Sequence, residues 1–276
     1  MSTATITCPG IYEVEESTYH SGQNLAPRLG RSLSATACKT LLANPARFLH
    51  ERERGRPPKD AFDVGTLAHE LILRGGDNRL RVIDAYDWRS KVAQEAKKAA
   101  HADRLVPVHR GDLLAATHLA RSVRRHPLAS AILSEGKPEQ SLYWLDEETG
   151  VTCRGRVDWL RDNAIVDVKT TTYGGSDPDA FARAAASYDY PLQAAHYIDG
   201  VEALTGQRLP FLFIVVEKEP PYFVRVHQLT TDDLEIGRDR ARAARHLFAE
   251  YESNGYPEVG ADISTINLPA WYGRTN

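Results

Sequence analysis

Three strand-like segments follow one another in the middle of the chain, and few folds can accommodate them together with what lies on either side. Residues 139–145, 151–160 and 164–170 read as strands, with Glu147-Glu148-Thr149-Gly150 and Arg161-Asp162-Asn163 as the turns between them. Runs of this kind, bounded by turn clusters, form an antiparallel meander. The flanks read differently. Residues 32–45, 62–73 and 88–135 are predicted as helical, the last throughout, and residues 179–187 and 191–204 are predicted as two helices after the meander. An apolar strand over 210–217, an antiparallel partner over 222–228 and a long helix over 231–253 close the pattern. This order predicts one α/β domain with a central mixed β-sheet flanked by helices and an N-terminal helical part. Residues 1–30 read as an irregular arm, and 31–276 as that single domain.

The helix limits rest on start and stop signals. Ser34 is the expected N-cap of the first helix, and Asn44-Pro45 its stop. Leu67, Leu71 and Ile72 recur at helical spacing in the second, which Gly75-Gly76 ends. Residues 48–60, dense in charge, are expected to run into a Pro-Pro loop. Thr231 is the expected cap of the last helix, with acids in its first turn.

Composition narrows the function classes. The chain has 276 residues, 42% hydrophobic and 26% charged, with 34 Lys and Arg against 37 Asp and Glu, a net charge of −3. That balance excludes a disordered or collagen-like chain. It also argues against binding polyanions with the whole surface, though not against a local basic groove. The longest apolar runs, such as the seven residues 210–216, fall far short of the roughly 20 needed to cross a bilayer. The N-terminal residues show no basic region followed by an apolar core, so no signal peptide is expected. Cys8, Cys38 and Cys153 are odd in number and far apart, which suggests neither a zinc ribbon nor a disulfide framework. A cytoplasmic location and no membrane partner are the expectations.

The chemistry concentrates at Asp158, Asp167 and Lys169. Asp167 and Lys169 lie two apart in one strand and point the same way. Asp158 lies on the preceding strand of the same hairpin and can face Asp167. Two carboxylates in register repel unless a cation joins them. With oxygen ligands, that cation is Mg²⁺, with Mn²⁺ able to substitute. A lysine beside them can orient a water or neutralise developing negative charge.

The pattern Asp158…Asp167-Val168-Lys169 resembles the signature of the PD-(D/E)XK nuclease superfamily, whose core is the restriction-endonuclease-like fold. Gly65-Thr66-Leu67-Ala68-His69 resembles the G-x-x-x-H helix that precedes this core in RecB-type and RecE-type members, where the histidine ligates metal. Gln193-Ala194-Ala195-His196-Tyr197 resembles the Q-x-x-x-Y helix after it; residues four apart share a helix face. Ser34, residues 45–48, Tyr188 with Tyr190, and residues 216–222 extend the likeness over roughly 30–270. Together these resemble the RecE (exodeoxyribonuclease VIII) type of domain, often carried by phages and prophages. Where many superfamily members carry Glu, this chain has Asp167.

The resemblance implies a Mg²⁺-dependent 5′→3′ exonuclease of linear double-stranded DNA that leaves 3′ single-stranded overhangs for recombination. It implies a ring-shaped homo-oligomer, trimer or tetramer, and a RecT-like single-strand annealing partner. It assigns the metal to His69, Asp158, Asp167 and the Val168 carbonyl, and catalysis to Asp158, Asp167, Lys169, Gln193 and Tyr197. Glu70, beside His69, turns about 100° away on a helix and reads as structural. Arg28-Leu29-Gly30-Arg31 resembles a turn in the phage lambda-type exonuclease whose arginine holds the 5′-phosphate, so Arg28 or Arg31 is a candidate for that role. Arg154 and Arg156, sharing the Asp158 face by parity, are candidates for phosphate contacts; salt bridges to neighbouring acids are the alternative. The groups Arg52/Arg54/Arg56 and Arg238/Arg240/Arg242/Arg245 read as solvated helix faces, one of which could line a DNA channel. Three cysteines cannot build the four-cysteine iron–sulfur cluster of a related nuclease subgroup. A restriction-type endonuclease and an inactive DNA-binding module of the same fold remain as alternatives.

Overall fold

A computed structural model describes residues 6–15, 19, 31–54, 63–76, 80–85, 87–103, 105–257, 263 and 265–267. Strands β1 (Gly10–Glu13) and β2 (Leu33–Ser34) precede helices α1 (Ala35–Ala43), α2 (Pro45–Arg54) and α3 (Val64–Arg74). Then come β3 (Leu80–Ile83), α4 (Lys91–Ala102), β4 (Val106–His109), α5 (Arg110–Arg125) and α6 (Pro127–Ile132). The second half runs β5 (Lys137–Leu145), β6 (Thr152–Leu160), β7 (Ile165–Thr171), α7 (Pro178–Ser187), α8 (Tyr190–Thr205), β8 (Phe211–Glu217), β9 (Val224–His227) and α9 (Thr231–Asn254).

The central sheet has the order β1-β5-β6-β7-β8-β9, with β2 on the edge of β6. Its neighbours are antiparallel except β7 with β8 and β2 with β6, so the expected mixed sheet forms. The parallel step between β7 and β8 is bridged by α7 and α8, as a parallel pair requires a crossover.

Side chains of β7 and β8 alternate between two cores. Ile165, Phe211, Phe213 and Val215 pack with α1, α8 and α9, whereas Val166, Val168, Ile214 and Val216 pack with α3, α5 and α6. Both faces of the inner strands are therefore covered, which explains their nearly continuous apolar runs. Asp167 and Lys169 fall on the α8 side by the same alternation.

Several sequence expectations change. Residues 88–135 are not helical throughout: β4 interrupts them and pairs parallel with β3. The charged stretch after Pro45 is a helix to Arg54, with proline at its first position, where the missing N–H is no loss. The N-terminal arm contributes β1 to the sheet edge. The last helix is capped by Thr230 rather than Thr231; its hydroxyl accepts from Asp233 N–H. Ser34 caps α1 as expected, accepting from Ala37 N–H. Among the described residues, no helix is long and apolar enough to cross a membrane.

Candidate active site

Strands β6 and β7 pair at their turn end, Trp159 against Val166 and Leu160 against Ile165. Beyond that point they diverge, and β2 takes the edge of β6 at Cys153 and Arg154. Asp158 sits where the strands part. Its Oδ2 accepts the Val168 N–H at 2.7 Å, a bond that replaces the lost ladder. The same oxygen is 3.0 Å from His69 Nε2.

His69 reaches this place because α3 crosses close to β7. A Cβ on Gly65 would lie 2.9 Å from Thr170 Oγ1, so a glycine there lets the helix backbone approach. One turn later His69 projects from the same helix face. The G-x-x-x-H spacing thus places the close approach and His69 on one face.

On the other side, α8 lies over Asp167 and Lys169. Lys169 Nζ is 2.7 Å from Asp167 Oδ2. Gln193 Nε2 donates to Asp167 Oδ1 at 2.8 Å, and Lys169 Nζ lies 3.5 Å from Gln193 Oε1. Tyr197, a turn further on, lays its ring against Gly155 of β6. The two α8 residues therefore share the sheet-facing side, as their spacing predicts.

The electrostatics are those of buried acids balanced by the cations beside them, His69 at Asp158 and Lys169 at Asp167. Burial pushes Asp167 up to about 6, with Lys169 pulling the other way and Asp158 adding to the rise. Burial also acts on Asp158, but His69, Lys169 and the Val168 amide hold it below its usual value. Burial disfavours a charged His69, yet Asp158 more than offsets this and raises it to about 9. Burial opposes the Lys169 charge too, and Asp167 and Asp158 raise it nonetheless. In each case a buried charge is kept only by a partner of opposite sign.

The donor set fits a hard divalent cation: two carboxylates and one imidazole, with a main-chain carbonyl available at Val168. Asp167 Oδ2 is buried and, despite its ion pair, lacks a well-aligned hydrogen bond. Such an oxygen has lone pairs free to ligate. The three groups do not form a ready-made cage among the described residues, because Asp167 is turned to Lys169.

The expected phosphate contacts fare differently. Arg156 is buried, and its guanidinium donates to Val14 O, Ser141 Oγ and Glu139 Oε2. For Arg156 the salt-bridge alternative holds. Its partners lie on β5 and the N-terminal segment, so the guanidinium is spent inside the protein. Arg154 stacks its guanidinium over Tyr19, at 5.3 Å from the ring centroid. Arg31 is exposed and 3.6 Å from Glu252. Arg28 and Arg56 lie outside the described residues. The arginines of α9 are engaged with acids: Arg238 and Arg245 with Asp199, Arg240 with Asp189, and Arg242 with Glu148.

Two residues near the site were not expected. Glu139 falls between Pro138 and Gln140, which pair with Trp159 and Val157 of β6, and has a φ of 48° and 6% exposure. It pairs with Arg74 of α3 and with Arg156, tying the histidine helix to the sheet. Its unusual backbone was the signal, and no sequence pattern exposes that. Lys39 of α1 donates to Tyr188 O at 2.7 Å, with its Nζ 5.6 Å from the Tyr190 ring centroid. Burial and the nearby Lys169 lower it to about 8.

Residues 34–254 match the family model described as a PDDEXK-like domain of unknown function (DUF3799). Among curated proteins no match occurs. Among solved structures, the chain resembles a protein of Eubacterium rectale provisionally assigned as an exonuclease. That likeness has a TM-score of 0.59 and 14% identity, over 94% of this chain and 96% of that one. At this identity it shows a shared fold. A second structure, SSO0001, superposes with a TM-score of 0.29 at 12% identity, over 76% of this chain and 83% of that one, too loosely to carry any argument.

Proposed function

The chain belongs to the family of PDDEXK-like domains of unknown function, and from that premise we propose that it is a Mg²⁺-dependent exonuclease of linear double-stranded DNA. The observation that carries this reading is the convergence of His69, Asp158, Asp167, Lys169 and Gln193 where β6 and β7 part. Four elements supply these five side chains, and two like charges are brought together at the cost of their hydration. That arrangement has a purpose when a divalent ion joins it.

His69, Asp158 and Asp167, with the Val168 carbonyl, would hold the ion. When bound, it lowers the pKa of a water and neutralises charge on the scissile phosphate. Lys169 positions the attacking water and takes up part of the charge that develops on the phosphoryl oxygens. Gln193 keeps the Asp167 carboxylate in one orientation through its 2.8 Å bond. Hydrolysis adds the water oxygen to phosphorus and breaks the bond to the 3′-oxygen. A 5′→3′ direction, 3′ overhangs for strand annealing, a RecT-like partner and a ring-shaped oligomer belong to this proposal as the RecE-type resemblance implies them.

The test is degradation of linear and closed-circular duplex DNA with Mg²⁺, each strand labelled and a 5′-phosphate on one end. Loss of the linear DNA from the phosphorylated end with circles intact is the expected result. Cutting of circles makes the protein an endonuclease. Intact DNA of both forms, with Mn²⁺ also tried, overturns the nuclease reading.

A further inference from the structure

Beside Lys169, the loop from β7 to α7, helix α7 and the start of α8 wall a groove of about 470 Å³. Three cations, Lys169, Arg183 and Lys218, and three tyrosines, Tyr173, Tyr188 and Tyr190, line it, and no acidic residue does. Lys169 is paired with Asp167, and Arg183 and Lys218 add positive charge beyond that pair in a chain of net charge −3.

The aromatic rings form a path outward from the site. Lys169 Nζ is 4.7 Å from the Tyr190 centroid. Tyr190 stacks on Tyr188, with centroids 5.7 Å apart and planes 22° apart. Tyr188 is 64% exposed, and Tyr173, on the facing loop, is 67% exposed. Two tyrosines this open gain little from packing against their own protein; the Tyr173 ring and the face of Tyr188 turned away from Tyr190 are available to a ligand.

The loop carrying Tyr173 is anchored. Ser176 donates its N–H and its hydroxyl to the buried Glu217, at 3.3 and 2.6 Å, and its carbonyl lies 2.9 Å from His227 Nε2. Asp177, the nearest acid on this loop, is drawn off by Arg225 at 2.9 Å. The groove is therefore preformed, which lowers the ordering cost of binding.

We propose that this groove binds an unpaired stretch of DNA next to the scissile phosphate. Its bases stack on Tyr188 and Tyr173, and its phosphates lie along Lys218 and Arg183. Paired bases keep their faces inside the duplex, whereas unpaired bases offer them to aromatic rings whatever the sequence. The volume is that of a small-ligand site and takes a short single strand. The position of this strand beside the reacting phosphate rests on the nuclease reading; its binding does not.

The test is fluorescence anisotropy of a labelled oligo-dT and of a hairpin duplex with no single-stranded end, in EDTA so that nothing is cut. The double variant Tyr173→Ala/Tyr188→Ala is expected to weaken oligo-dT binding about tenfold or more, from stacking of roughly 1–3 kcal/mol per base. Hairpin binding should be nearly unchanged, and Tyr173→Phe/Tyr188→Phe should retain the oligo-dT affinity. Lys218→Ala should lower the salt dependence of oligo-dT binding. Oligo-dT binding that survives the alanine pair, or an equal loss on the hairpin, overturns the proposal. Both tyrosines are exposed, and matched melting curves confirm folding. If oligo-dT binding is lost as expected while Mg²⁺ degrades no DNA, the groove stands and the nuclease reading falls. If DNA is degraded and the alanine pair binds oligo-dT like the parent, the reverse holds.

Discussion

His69 Nε2 lies 3.0 Å from Asp158 Oδ2, which joins helix α3 to the point where β6 and β7 part. At neutral pH the histidine is held protonated, raised to about 9 against the effect of burial by Asp158. The imidazolium thus occupies the place of a cation. A metal at this site must displace that proton, since only the neutral ring ligates. His69→Ala is expected to lower Mg²⁺ or Mn²⁺ affinity by no less than the roughly 10–100-fold typical of lost outer-shell partners. Titration calorimetry with Mn²⁺ reads this directly. Unaltered affinity would return His69 to a structural role.

Lys169→Ala addresses chemistry more than binding. A positioned proton-transfer or water-orienting group contributes about 10²–10⁴-fold, so kcat should fall in that range on a linear duplex. Substrate affinity should change far less. A fall in KM-linked binding alone, with kcat intact, would make Lys169 a phosphate anchor instead. Gln193→Ala, which frees Asp167 Oδ1, should show a smaller loss of kcat in the same assay.

Gly155→Ala tests how Tyr197 is seated. The added Cβ would lie 2.8 Å from the tyrosine ring, far inside contact distance. Overpacking of this kind costs about 1–3 kcal/mol, and relief requires the ring to shift. Because Tyr197 shares its helix face with Gln193, kcat should drop along with the melting temperature. A stability loss with full activity would show that Tyr197 has no part in the reaction.

Much of this site was legible before any coordinates. Helical spacing four apart and strand spacing two apart are local properties, so His69, Gln193 with Tyr197, and Asp167 with Lys169 could be placed on their faces. What depends on register was not legible. Glu139 matters because it joins Arg74 of α3 to Arg156 of β6 from a left-handed backbone, and neither fact has a sequence signature. For Arg156 the choice between phosphate contact and salt bridge likewise turned on its partners across the sheet, Ser141 and Glu139 of β5. The short strands β3 and β4, four residues each beside Ala-rich helices, were too brief to stand out from their surroundings.

Arg245 of α9 was read as part of a solvated face, and the fold makes it a buried tie. It is 5% exposed, with Nε 2.9 Å from Asp146 Oδ1 and Nη2 3.2 Å from Asp199 Oδ2. Arg245→Met leaves two partly buried carboxylates without this partner. Breaking a buried pair from one side costs about 3–5 kcal/mol. Urea unfolding should show a loss of that order, and a loss below about 1 kcal/mol would mean that α9 is held by its apolar face alone.

His196 gives the fold a pH dependence of its own. It is fully buried on α8, its Nε2 is 3.1 Å from Arg154 O, and its ring lies 4.7 Å from Trp144. Burial lowers it from 6.5 to about 4, with Arg245 adding to the effect. Between those values the unfolded chain binds a proton that the folded chain refuses, so stability rises with pH through this window and is complete above it. As pH falls from 7 toward 4, this residue should cost up to roughly 3 kcal/mol. His196→Gln can keep a donor toward Arg154 O but does not titrate. Unfolding free energies at pH 7.0 and 4.5 should therefore diverge for the parent and stay closer together for the variant. An equal loss in both would place the acid sensitivity in the carboxylates rather than in His196.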